Sequence, residues 1–126
     1  MGNTGIQSHR DLVAWQLAVR NAKEIYRVTE AFPKSEQYGI TNQLRRAGVS
    51  VPSNIAEGYG RGTRQDYLRF LRIARGSVFE MDTQLLIAME LGYLDQDTHT
   101  SIEANLHECG RVLAGLIRSI EAGTNA

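Results

Sequence analysis

Seven arginines, Arg45, Arg46, Arg61, Arg64, Arg69, Arg72 and Arg75, fall within 31 consecutive residues and form the densest concentration of chemistry in the chain. A planar guanidinium matches phosphate oxygens two at a time, so a face of them suits RNA or DNA. The same run also fits a solvated helix face, or ion pairs with acidic residues elsewhere. The formal net charge is zero, but residues 34–75 carry 8 basic and 3 acidic groups while residues 76–126 carry 2 basic and 8 acidic ones. A chain neutral in total can thus present a basic face. The aromatics near the arginines on which unpaired bases would stack are Tyr59 and Tyr38.

A second set overlaps the first. Gln43, Arg46, Ser50, Asn54 and Glu57 recur at spacings of 3, 4, 4 and 3, a polar stripe along one side of a helix. Where such a stripe meets a bundle interior or a subunit contact it must be hydrogen-bonded. Arg46 with Asn54 or Glu57, within one chain or between two, would close that network, which orients helices or fixes assembly rather than catalysing a reaction.

The remaining reactive groups do not assemble a catalytic set. Ser50 and Ser53 have no histidine near them in sequence, and Cys109 falls on an apolar seam. Gly58, Gly60 and Gly62 form G-Y-G-R-G, with no strand before and no Lys-Ser/Thr after, so the phosphate-loop signature is missing and a turn is expected. Glu103 and His107 share a helix face, but half of a di-metal motif without its partner reads as a surface pair. The expectation is a non-enzymatic protein without metal or cofactor.

Four helices must position these groups. Leu12, Trp15, Val19, Ala22, Tyr26 and Thr29 predict a seam on a first helix over about residues 11–31, widened by Ile25, Val28 and Phe32 and stopped by Pro33. A second helix starts between Ser35 and Thr41, with the seam Ile40, Leu44, Ala47, Val51 and Ile55. Pro52 lies inside it and predicts a kink around residues 48–52 or, alternatively, a break into two short helices; Gly58, Gly60 and Gly62 end it. Thr63 caps a third helix, with Asp66 at its third position and the seam Tyr67, Phe70, Ala74, Val78, Met81, Leu85 and Ala88; Gly92 ends it. Asp95 or Asp97 caps a fourth, whose seam is Ile102, Leu106, Cys109, Leu113, Leu116 and Ile120. Short loops make this an all-α, antiparallel up-down-up-down four-helix bundle over residues 10–122, with a flexible leader (1–9) and tail (123–126). One cysteine, no apolar run of membrane length and no signal-like N-terminus predict a cytoplasmic protein with no membrane partner.

The stretch QLRRAGVSVPSNIAEGYGR, the opening DLVAWQLAVRNAKEIYRVTEAFPKSEQYGI and the later FLRIARGSVFEMDTQLLIAMELGYL together resemble the four-helix-bundle family of bacterial 23S rRNA intervening-sequence proteins. The resemblance spans about residues 9–120, with Gly48 where alanine is commoner. Its motif maps onto Gln43, Arg45, Arg46, Ser50, Pro52, Ser53, Asn54, Glu57, Gly58 and Arg61. The family is similar to the accessory variability determinant of diversity-generating retroelements, a pentameric barrel of four-helix subunits that binds nucleic acid and a reverse transcriptase. The resemblance implies a homo-oligomer, a pentamer by that analogy, with RNA, DNA or a protein as partner. Those accessory proteins are strongly basic, whereas this chain is neutral.

Overall fold

In the computed structural model, which describes residues 5–123, four helices follow one another: α1 (Val13–Thr29), α2 (Ile40–Arg61), α3 (Arg64–Glu90) and α4 (Gln96–Glu121). Each packs on its neighbours in sequence and α1 closes the ring against α4, while the diagonal pairs α1–α3 and α2–α4 stay apart. This is an antiparallel up-down bundle around a core of Ile25, Leu44, Ile55, Leu71, Met81, Leu85, Leu106 and Leu113, all nearly inaccessible to solvent.

The junctions follow from the residues at them. The Thr63 hydroxyl accepts the Asp66 N–H at 3.2 Å and starts α3. At its other end Gly92, at φ 84°, donates to the Met89 carbonyl, and Tyr93 donates to that of Ala88, the paired bonds of a Schellman motif. Asp95, not Asp97, caps α4 by accepting the Thr98 N–H at 2.7 Å; those bonds favour the charged carboxylate and lower its pKa. Ahead of α1, Ser8 accepts the Arg10 N–H and Asp11 accepts those of Gln7 and Ser8, and Ile6 packs against the core, so the chain is anchored from there on. Residues 1–4 of the expected leader and 124–126 of the expected tail lie outside the described residues.

Three sequence expectations change. The buried face of α1 is Ala14, Ala18, Asn21, Ile25 and Thr29, not the stripe through Trp15, Val19, Ala22 and Tyr26. Small residues let α1 settle close to its neighbours, and Asn21 satisfies its amide by donating to the Asn105 carbonyl of α4 at 3.3 Å. Trp15, Val19 and Ala22 are left half-buried and Tyr26 exposed at the rim. In α2, Pro52 lies within one continuous helix, the first of the two expectations, and the alternative of two short helices does not form. Gly58 and Gly60 do not end that helix; it runs through both and stops at Gly62, at φ 90°. Gly58 serves another purpose, since a Cβ there would lie 2.9 Å from the Phe70 Cβ. In α4, Ile117 rather than Leu116 completes the buried seam.

Candidate nucleic-acid interface

α2 and α3 make the broadest helix contact, and the polar stripe of α2 runs along it. Ser50 Oγ meets Ser77 Oγ of α3 at 3.0 Å. Asn54 Nδ2 donates back to the Ser50 carbonyl at 2.8 Å and to its Oγ at 2.9 Å. Two turns nearer the start of α2, Gln43 Oε1 accepts from Gln84 Nε2 of α3 at 3.4 Å. Gln43 and Ser50 of the stripe thus bond across the α2–α3 seam, and Asn54 bonds back within α2. The expected link from Arg46 to Asn54 or Glu57 does not form within the chain: Arg46 points into solvent, and Glu57 pairs instead with Arg61 at 3.1 Å. Asn54 is taken up instead by Ser50 on its own helix, and Ser50 in turn meets Ser77 of α3.

The seven arginines divide into two groups. Arg45 leans on α1, where its Nε donates to the Thr29 hydroxyl at 2.8 Å and its guanidinium covers the Tyr26 ring at 4.7 Å. Arg46 stands beside it in solvent. Fifteen residues further along α2, about 22 Å at the usual rise, Arg61 opens the second group, with Arg64, Arg69, Arg72 and Arg75 on the first three turns of α3. One continuous face of seven, as the sequence suggested, is not what the helices present.

Within the second group the guanidinium groups are held in three ways. Arg61 and Arg69 both lie over the Phe70 ring, at 4.9 and 4.4 Å, and Arg75 lies over Phe79 at 5.6 Å. An arginine seated on a ring keeps its in-plane N–H donors available. Three have carboxylate partners: Arg61 with Glu57, Arg69 with Asp66 at 3.8 Å and Arg72 with Glu121 at 2.6 Å. These pairs are about half exposed, so each holds by no more than about 1 kcal/mol and a phosphate can compete for it. Arg64 and Arg75 pair with no carboxylate among the described residues, nor do Arg45 and Arg46.

Tyr59 and Tyr67 meet edge to face beside this group, with ring centres 6.1 Å apart. Burial, with Tyr59 as a lesser influence, pushes the Tyr67 hydroxyl up to about 12, so it stays protonated in the working range. Tyr38 is fully in solvent but sits before α2, on the far side of the bundle from Tyr59 in chain direction. Tyr59 is thus the one of the two expected stacking aromatics close to the second arginine group.

Phe70 went unnoticed in the sequence as a seat for two arginines, because its place on the core seam hid the outer edge of its ring. Asp82 was also missed. Its carboxylate comes within 3.5 Å of His107 Nε2, joining Glu103 and His107 across the α3–α4 seam. The reactive candidates stay inert: the Cys109 thiol is buried, donates weakly to the Ala14 carbonyl at 3.9 Å and is pushed up to about 11 by burial. Ser50 is occupied by Ser77 and Asn54.

A family model described as 23S rRNA-intervening sequence protein matches residues 10–115. A crystal structure of a protein of unknown function from the S23 ribosomal protein family of Bacteroides thetaiotaomicron superposes with a TM-score of 0.78, covering 84% of this chain and 96% of that one at 21% identity. That likeness shows a shared bundle fold. Comparison with curated proteins finds no match.

Proposed function

This chain belongs to the 23S rRNA-intervening sequence protein family, and from that premise we propose a non-enzymatic, homo-oligomeric bundle that binds RNA or DNA through the arginines of the α2–α3 turn. One observation carries the reading: Arg61, Arg64, Arg69, Arg72 and Arg75 gather on successive turns, two of them with no carboxylate partner among the described residues and three braced on aromatic rings. Bracing lowers the side-chain entropy lost when a phosphate is gripped. Arg45 and Arg46 form a separate, smaller site at the start of α2 that a long strand would also touch. No helix among the described residues is long and apolar enough to cross a membrane. The reading takes nucleic acid as the partner, in a cytoplasmic setting. An electrophoretic shift with single-stranded RNA and with duplex DNA tests this. A retarded complex at low salt that disperses as salt rises supports the reading; free probe at every protein concentration contradicts it.

A second reading rests on the outward face of α3. Phe79 and Leu91 are about 60% exposed, and Ile73, Leu86 and Ile87 share the same side of the bundle surface. An exposed apolar face of that kind marks a protein contact. On this reading the chain is an oligomeric scaffold or accessory subunit that does not touch nucleic acid, with the pentamer of the retroelement accessory proteins as its nearest assembly. Light-scattering mass tests it: a multiple of 14.0 kDa agrees, and a monomer at high concentration does not.

A further inference from the structure

We propose that Asp82, Glu103 and His107 form a binding site for a divalent transition-metal ion of the zinc class, on the outer edge of the α3–α4 seam. Glu103 and His107 stand one turn apart on α4, and their side chains reach the same point from one helix face. Asp82 arrives from α3, so two stiff helices supply three donors. One imidazole nitrogen and two carboxylate oxygens, all within 4.8 Å of one another, are a donor set zinc accepts.

The distances suit an ion as well as a salt bridge. His107 Nε2 and Asp82 Oδ1 are 3.5 Å apart, at the far limit of a hydrogen bond. Two ligands each about 2.1 Å from a tetrahedral ion stand about 3.4 Å apart, so this pair already has the separation an ion would impose. Glu103 brings a carboxylate oxygen within 4.8 Å of both. Among the described residues neither carboxylate forms a salt bridge with a lysine or arginine, although Arg75 and Arg111 line the same groove.

The site opens onto a groove of about 410 Å³ floored by Val78, Leu106 and Gly110, with Phe79, Arg75 and Arg111 at its sides. Three protein ligands leave a coordination position free, and the groove gives water or a small anion room to take it. None of the three ligands belongs to the arginine set, so the nucleic-acid reading and this one fail separately.

The test uses the full chain, stripped of metal with a chelator, then titrated with Co²⁺ by visible absorption and with Zn²⁺ by calorimetry. One equivalent per chain is expected, with the ligand-field bands of a four-coordinate cobalt site and a raised unfolding temperature. His107→Ala and Asp82→Asn should each weaken binding by more than about tenfold, and both positions are solvent-accessible enough that circular dichroism should show an intact bundle. His9→Ala, distant on the chain, should bind as the unaltered protein does. No binding at millimolar Zn²⁺ overturns the proposal, as does unchanged affinity in His107→Ala and Asp82→Asn.

Discussion

Gly58→Ala should destabilise the bundle, even though alanine is the better helix former. The new Cβ would stand 2.9 Å from the Phe70 Cβ, 3.2 Å from the Tyr67 carbonyl oxygen and 3.3 Å from Tyr67 Cδ1. Two of these atoms are fixed by the α3 backbone and cannot swing away, so α2 and α3 must separate. Overpacking of this kind costs about 1–3 kcal/mol, against a gain of about 1 kcal/mol in helix propensity. The net loss is about 1 kcal/mol, or about 4 °C in Tm for a domain of this size. Gly76→Ala supplies the contrast. Gly76 is also inside a helix, and a Cβ there meets nothing within 4 Å. Only the propensity gain remains, so Tm should rise by about 4 °C. Thermal and urea melts followed by far-UV circular dichroism read both. A Gly58→Ala protein as stable as the parent, or two variants moving in the same direction, would refute the close α2–α3 crossing on which Phe70 and its two arginines sit.

Other outcomes follow from single contacts. Thr63→Ala removes the acceptor of the Asp66 N–H and should lower stability by about 1 kcal/mol in a urea melt. The Cys109 thiol should ignore a thiolate-directed reagent in the native protein at about pH 8 and react promptly in denaturant; reaction at a free-thiol rate without denaturant would contradict its burial. Because folding raises that thiol from 9.0 to about 11, its stabilising share is complete below 9.0 and is lost as pH rises through about 11, a change urea melts along an alkaline series should register. If α3 forms the subunit contact, Phe79→Ser with Ile87→Ser should shift scattering mass toward 14.0 kDa while helicity is kept.

Local signals were legible where one residue type has one physical use. Thr63 before an acidic third position, Gly92 before Tyr93, and Asp95 at the head of α4 all stand where their chemistry demanded. Periodicity placed the seams of α2 and α3 well, because Leu44, Val51 and Ile55 and then Phe70, Val78, Met81 and Leu85 mark them at helical spacing. It misplaced α1, where the eye follows Trp15 and Tyr26 but the core takes Ala14 and Ala18. A stripe of alanines is invisible beside aromatics, although it is what lets helices approach. Gly58 was misread for a related reason: a glycine that ends a helix and one that admits a neighbouring side chain look alike until the neighbour is known. The arginines were legible as a set but not as a surface, since their division depends on which helix each side chain leans against. Asp82 could join Glu103 and His107 only once α3 and α4 were laid side by side.

The central claim is that carboxylate-free guanidinium groups at the α2–α3 turn meet phosphates, and a salt series tests it most directly. Fluorescence anisotropy with a labelled single-stranded RNA gives log K against log salt concentration for the parent chain and for Arg64→Gln with Arg75→Gln. Each phosphate contact contributes about −0.7 to that slope for a single strand. The account predicts binding that weakens steeply with salt in the parent and a slope shallower by about 1.4 in the double variant. Identical slopes in the two proteins, or no binding by the parent at low salt, would contradict it.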